Sequence, residues 1–186
     1  MKTPFLIGER IYLRPLNKED LNRCLSWIND PAVITNLGRR LPVNRTQEEE
    51  WLANQYKSNR SFSLAIVLTE GDRHIGNCGF NDIDYLNRKA VFGIMIGEKD
   101  CWNKGYGTEA TRLMIGYGFE QLNLHRISLT VYSHNARAIR AYEKAGFKLE
   151  GRMRESYFRN GRYHDTLIMA ILESEWRQGH NSEPHQ

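Results

Sequence analysis

The chain has only three cysteines in 186 residues, Cys24, Cys78 and Cys101, and they stand far apart. An odd, dispersed set argues against a disulfide framework. No C-x-x-C or Cys/His spacing suggests a structural zinc site, so no metal is expected. The six histidines are spread singly from His74 to His185. No stretch approaches the roughly 20 apolar residues of a membrane span. Met1 to Arg10 lacks the apolar run of a signal peptide. Charge of one sign is also short: 26 Lys plus Arg against 22 Asp plus Glu leave +4, with the basic residues scattered. That balance permits an anionic ligand but gives no footprint for nucleic acid. Repeats and low-complexity tracts are missing as well. The expectation is a soluble, reduced, cytoplasmic protein with neither a nucleic-acid nor a membrane partner.

What is present is an ordinary globular composition, 40% hydrophobic and 26% charged, at a length that favours one domain. Arg10 to Leu16 alternates apolar and polar residues and reads as a strand. Asp20 to Ile28 carries Leu21, Leu25 and Ile28 at helical spacing, and Asp30-Pro31 should stop that helix. Thr46 and Glu49 form a capping-box pattern ahead of a second helix through Trp51, Leu52 and Tyr56. The period then changes to two, giving strands over Ser61–Leu68, His74–Ile83 and Arg88–Gly97. The last of these, almost wholly apolar from Val91 to Ile96, reads as a central strand covered on both faces. A helix follows with Ala110, Leu113, Met114 and Tyr117 on one face, then a strand over His125–Tyr132. A short helix capped by Asn135 ends at Gly146, and Asn160-Gly161 marks a final hairpin of Lys148–Arg159 and Arg162–Leu172. Consecutive strands imply an antiparallel meander, and the later strand–helix–strand supplies a parallel crossover. The fold class expected is α/β (α+β), a mixed sheet with helices on both faces. It occupies residues 1–172 as a single domain, and 173–186 form a polar tail.

Two motifs carry chemistry. Lys104-Gly-Tyr-Gly-Thr108 lies between an apolar strand and an amphipathic helix. Gly105 and Gly107 remove Cβ atoms, so backbone N–H groups can approach a ligand closely. The helix that starts here points its unpaired amides and positive dipole end at the same place, which suits a phosphate or pyrophosphate. Lys104 adds a charged donor. A plain strand-to-helix turn would use the same glycines. Neither a Walker A loop nor the six-residue dinucleotide fingerprint is present. The second motif is Asn135-x-x-Ala138-x-x-x-Tyr142-x-x-x-Gly146-Phe147. Ala138 and Tyr142 are four apart and share a helix face, so a ligand can lie against the small residue beside a phenol.

Together, in this strand–helix order, the motifs resemble the GNAT superfamily of N-acetyltransferases over about Arg10 to Leu172, most specifically from Phe92 to Phe147. The resemblance implies a twisted, mostly antiparallel sheet with a V-shaped splay between the fourth and fifth strands, where acetyl-CoA binds as acyl donor. Carried over, Ile94, Met95 and Ile96 pair with the pantetheine arm, and Lys104, Gly105, Tyr106, Gly107 and Thr108 hold the pyrophosphate. Asn135 bonds the pantetheine arm, Ala138 lets it lie on the helix, and Tyr142 is the general acid. The family signature begins with Gln or Arg three residues before the first glycine, where this chain has Trp102. In that respect it is similar to the branch of ribosomal-protein N-terminal acetyltransferases and bacterial spermidine acetyltransferases. Homodimers are frequent in the family.

The implied reaction is attack of a primary amine on the thioester. Backbone N–H groups near Met95 and Ile96 are suited to the carbonyl oxygen. The family's strand glutamate falls at Thr130, which cannot act as a base. Asp82, Asp84, Glu98, His134 and a water relay stay open as proton acceptors. Arg39, Arg40 and Arg45 sit on a loop that could border the acceptor site. The acceptor is a peptide or small-molecule amine: a protein N-terminus, a polyamine, an amino sugar or an amino acid. A non-catalytic CoA-binding module on the same fold is the alternative.

Overall fold

The computed structural model describes residues 3–57 and 59–180. In chain order the elements are β1 (Leu6–Ile7), β2 (Ile11–Pro15), α1 (Leu21–Ile28), α2 (Pro31–Ile34) and α3 (Arg45–Asn54). Then come β3 (Phe62–Leu68), β4 (His74–Asp84), β5 (Lys89–Ile96), α4 (Tyr106–Glu120) and β6 (Arg126–Tyr132). The chain continues through α5 (Ala136–Lys144), β7 (Lys148–Arg159), β8 (Arg162–Leu172) and α6 (Glu173–His180). The eight strands form one sheet in the order β1-β2-β3-β4-β5-β6-β8-β7. All neighbours pair antiparallel except β5 and β6.

Strand alternation sorts side chains onto two faces. Ile11, Leu13, Leu64 and Ile66 enter a core shared with Ala110, Met114, Ile115 and Phe119 of α4. Tyr12, Ala65 and Val67, one position out of phase, pack with Cys24 and Trp27 of α1 and with Trp51 and Leu52 of α3. Under the second layer lies a buried ion pair: Arg14 donates to both carboxylate oxygens of Asp20 at 2.7 and 2.8 Å. His74 Nδ1 is 3.2 Å from the same carboxylate. All three residues are fully or nearly buried. Burial alone would raise the Asp20 carboxyl. The Arg14 and His74 side chains and the Asn17 backbone N–H overcome it and hold the group well below the usual carboxylate range.

Several expectations shift. The two-residue β1 is too short to show periodicity, so the strands expected as fourth and fifth are β5 and β6. The second helix is capped two residues earlier than Thr46: Asn44 accepts from the Gln47 N–H, and Gln47 returns a bond to the Asn44 N–H. Asp30 does end α1, but its side chain also accepts from the Ala32 N–H and starts α2, with Pro31 in the position where a missing N–H does no harm. The hairpin forms as expected, with Asn160 and Gly161 both at positive φ, 50° and 73°. The tail does not begin at 173. Glu173–His180 is helical, because Trp176 is buried against Phe119 at 5.6 Å between ring centroids. Residues 181–186 of the expected tail lie outside the described residues.

Candidate active site

The parallel ladder between β5 and β6 is short. It pairs Lys89 with Arg126, Ala90 with Ile127 and Val91 with Ser128, and then the strands diverge. Past that point β5 stays bound to β4 through Ile96, and β6 stays bound to β8 through Tyr132. Each strand therefore keeps one ladder and loses the other, leaving backbone N–H and C=O groups on the inner edges without sheet partners. A cavity of about 600 Å³ fills the divergence.

The start of α4 forms one end of this cavity. Gly105, at φ 86°, is its N-cap and supplies no side-chain cap. A side chain there would be strained by the left-handed backbone. Gly107 is different. A Cβ on it would meet only Ile96 Cγ1, at an ordinary 3.8 Å. Neither backbone nor packing requires glycine at 107; the bare position serves space over the first-turn amides of the helix. Tyr106, Gly107 and Thr108 belong to that first turn, further along the chain than the loop expected. Their N–H groups have no intrahelical acceptor. The turn is braced from outside: Arg10 Nη1 donates to the Lys104 carbonyl at 2.9 Å and the same guanidinium pairs with Glu109.

Trp102 is part of this end. Its indole N–H donates to the Ile96 carbonyl at 2.8 Å, and the Arg137 guanidinium lies 4.0 Å from its ring centroid. Both residues line the cavity. The guanidinium that covers the Trp102 ring thus comes from α5.

The opposite wall is α5. Asn135 caps it by accepting from the Ala138 N–H at 3.2 Å, which fixes the Asn135 oxygen and leaves its amide N–H₂ as the free donor end. Tyr142 is four residues beyond Ala138, 8% exposed, with its ring edge-on to Phe92 and Phe147. Burial pushes its phenol up to about 12, so it stays protonated at neutral pH.

Of the residues expected at the site, Ile94, Met95, Ile96, Gly105, Gly107, Thr108, Asn135, Ala138 and Tyr142 line this one cavity. Lys104 and Tyr106 do not. The Lys104 side chain is exposed, and Tyr106 faces Arg10, whose guanidinium is 5.0 Å from its ring. Thr130 does line it. The open proton acceptors fare worse. Asp84 is turned onto Asn87, accepting from its N–H at 3.0 Å and from its side-chain amide at 2.7 Å. Glu98 is held by the Trp27 indole N–H and by Arg73. Asp82 is exposed at positive φ. His134 packs against His164, 4.5 Å away, and burial lowers its imidazole. None of the four lines a cavity in the splay.

A second cavity of about 240 Å³ lies on the α1–α3 side of the sheet. It shares Leu37, Gly93, Ile94 and Met95 with the first, so the two meet along β5. Its lining includes Glu48, which is 7% exposed. This residue escaped the sequence reading because Glu48, Glu49 and Glu50 look like a solvated face. The usable signal was spacing: Glu48 precedes Trp51 by three and Leu52 by four, on the helix face turned to the core.

The family profile described as "Acetyltransferase (GNAT) domain" matches residues 10–148. The chain is 31% identical to the uncharacterized N-acetyltransferase p20 of Bacillus licheniformis, over 92% of this chain and 97% of that protein. It is 30% identical to the spermidine N(1)-acetyltransferase of Escherichia coli K12, over 92% and 91% respectively. Among solved structures, the Vibrio cholerae spermidine N-acetyltransferase in complex with CoA and spermine superposes with a TM-score of 0.85. It is 28% identical, covering 91% of this chain and 99% of that one.

Proposed function

The chain belongs to the GNAT family of acetyltransferases, and from that premise we propose that its larger cavity holds acetyl-CoA while an amine reaches the acyl group from the smaller one. The enzyme is an N-acetyltransferase. The donor supplies a thioester carbonyl: a C–N bond forms, the C–S bond breaks, the amine loses a proton and the departing thiolate gains one.

Each residue in the cavity then has a task. The first-turn amides of α4 over bare Gly107, with Thr108 and the Arg137 guanidinium, hold the diphosphate. Lys104, exposed at the rim, adds long-range attraction rather than a contact. The inner edge of β5 at Ile94–Ile96 and the Asn135 amide pair with the pantetheine arm, which runs over Ala138. Backbone N–H groups near Met95 and Ile96 orient the carbonyl; one such donor is worth roughly 3 kcal/mol. Tyr142 faces the departing sulfur. Its phenol, pushed up to about 12, is a weaker acid than a simple thiol near 8.5, so full proton transfer to the thiolate is uphill. The dry cavity raises the thiol as well, and Tyr142 contributes chiefly a hydrogen bond to sulfur as charge develops there.

The acceptor is a primary amine of a peptide or a small molecule. The spermidine acetyltransferases among the relatives support that class. The observation that carries the reading is the convergence of the uncapped α4 turn, the free β5 edge and Tyr142 on one cavity. Thermal-shift measurement with acetyl-CoA tests the donor; a ligand at 100 times its Kd adds about 2.7 kcal/mol. Release of free thiol across peptides, polyamines and small amines tests the transfer. No stabilisation by acetyl-CoA overturns the donor assignment. Stabilisation without thiol release for any amine leaves a CoA-binding module instead.

A further inference from the structure

Glu48 lines the smaller cavity with a charge that no described residue answers. It is 7% exposed, yet no described residue donates a hydrogen bond or forms an ion pair with its carboxylate. Its oxygens are not sealed into the core but open onto the smaller cavity, where a cation could reach them. Elsewhere the protein satisfies such groups: Asp20, equally buried, has Arg14 on both oxygens. Glu48 sits in a 240 Å³ cavity whose other walls include the indole of Trp51, the amides of Asn77 and Asn81, and Met95. The cavity ends on Gly93–Met95, where the acyl group would lie. The only other charged residue lining it is Arg39, exposed on the loop after α2. Arg39 is held in place by the final hairpin, since Arg159 Nη1 donates to the Arg39 carbonyl at 3.2 Å and the Tyr157 hydroxyl to the Leu37 carbonyl at 3.2 Å.

We propose that Glu48 receives the ammonium nitrogen of the acceptor amine, and that Arg39 beside it makes the cavity select a singly cationic α-amine over a polycation. The inference deepens the acetyltransferase reading and rests on it for the identity of the neighbouring acyl group. One carboxylate and one guanidinium leave the cavity without net charge. A polyamine would place its second ammonium among Arg39 and Arg40, the latter 5.1 Å over the Tyr157 ring. An α-ammonium followed by a carbonyl or carboxylate fits both charges: nitrogen to Glu48, oxygen to Arg39. Burial also raises the Glu48 carboxyl against the pull of Arg39. A partner cation would restore its ordinary ionised state.

The probes are alanyl-alanine amide, with one α-ammonium, and spermidine. Binding is measured by calorimetry on the protein with and without CoA, and turnover by thiol release. Wild type should bind and acetylate the peptide amide in preference to spermidine. Glu48→Gln should weaken the amide by about 30-fold or more, as truncating one side of a buried charge pair does. The loss should fall in KM more than in kcat. Glu48→Asp should recover part of it, and Arg39→Ala should narrow the preference over spermidine. Thermal unfolding separates this from a structural role: Glu48→Gln removes an unpaired charge and should keep or raise Tm. Unchanged amide binding in Glu48→Gln, a lowered Tm in that variant, or a wild-type preference for spermidine overturns the proposal. If acetyl-CoA stabilises the protein but neither probe binds, the Glu48 assignment fails and the donor reading stands. If the amide binds through Glu48 but acetyl-CoA does not stabilise, the donor reading fails alone.

Discussion

The Trp102 indole is clasped from two sides, its N–H bonded to the Ile96 carbonyl at 2.8 Å and its face covered by the Arg137 guanidinium at 4.0 Å. One side chain thereby ties the free end of β5 to the start of α5. It also holds a guanidinium in the wall of the cavity that the glycine turn lines. Where the resembled signature has Gln or Arg, this chain has an aromatic platform with a guanidinium from another helix lying on it. Arg137→Ala should weaken acetyl-CoA by about tenfold, in line with the ~1–2 kcal/mol of a partly desolvated cation held on an aromatic face and aimed at phosphate. Calorimetry across salt concentrations checks it: the variant should show a shallower salt dependence, and an unchanged affinity removes Arg137 from the phosphate site.

Gly107 offers a cleaner test than Gly105. A methyl group at 107 meets only Ile96 Cγ1 at 3.8 Å, so Gly107→Ala should leave Tm within a degree or two or raise it slightly through helix propensity. The same methyl intrudes on space above the first-turn amides. Acetyl-CoA affinity should fall by about tenfold or more as the phosphate is pushed off those donors. Loss of stability without loss of affinity would show that the glycine serves the fold.

Tyr142→Phe keeps the ring that packs on Phe92 and Phe147 and removes only the hydroxyl. Turnover should drop by about 10²–10³-fold, the usual range for removing one donor aimed at developing charge, with acetyl-CoA affinity nearly unchanged. Because burial holds the phenol near 12, the wild-type rate should show no loss from tyrosine ionisation below about pH 10. Single-turnover rates against pH decide both points.

The Arg14–Asp20 pair makes a stability prediction. The folded Asp20 carboxyl lies below its unfolded value, so its contribution is fully present above about pH 4 and is lost as pH falls through the folded value. Asp20→Asn leaves Arg14 buried without its counter-charge and should cost about 3–5 kcal/mol at neutral pH. Urea midpoints compared from pH 7 downward should show the gap between variant and wild type closing only below pH 4.

Much of this architecture was legible because local and tertiary signals agree. Asn160-Gly161 named its turn type, and the apolar run at Val91–Ile96 identified the strand that sits mid-sheet. Asn135, Ala138 and Tyr142 fell into line once the cap was placed. What escaped were features set by contacts between segments distant in sequence. Glu173–His180 looked like part of a tail because the partner of Trp176, Phe119, belongs to a helix more than fifty positions earlier. The cap of α3 was misplaced because Thr46 and Glu49 mimic the box that Asn44 and Gln47 actually form. Arg137 stood out as a lining residue of the cavity only once it was seen lying over the Trp102 ring. Of the four proton acceptors considered from sequence, Asp84 is turned onto Asn87 and Glu98 onto Trp27 and Arg73, and none of the four lines either cavity.

The brevity of the β5–β6 ladder has a consequence for solubility. Backbone left unpaired at the rim of a sheet invites a second chain to add a strand, and exposed rims of this kind drive aggregation. Here the unpaired edge is recessed in the middle of the sheet, walled by α4 and α5. A polypeptide strand with its side chains is too broad to enter, while a slender amide-bearing arm fits. The protein thus carries the adhesive chemistry of an open β-edge without the hazard of self-association there.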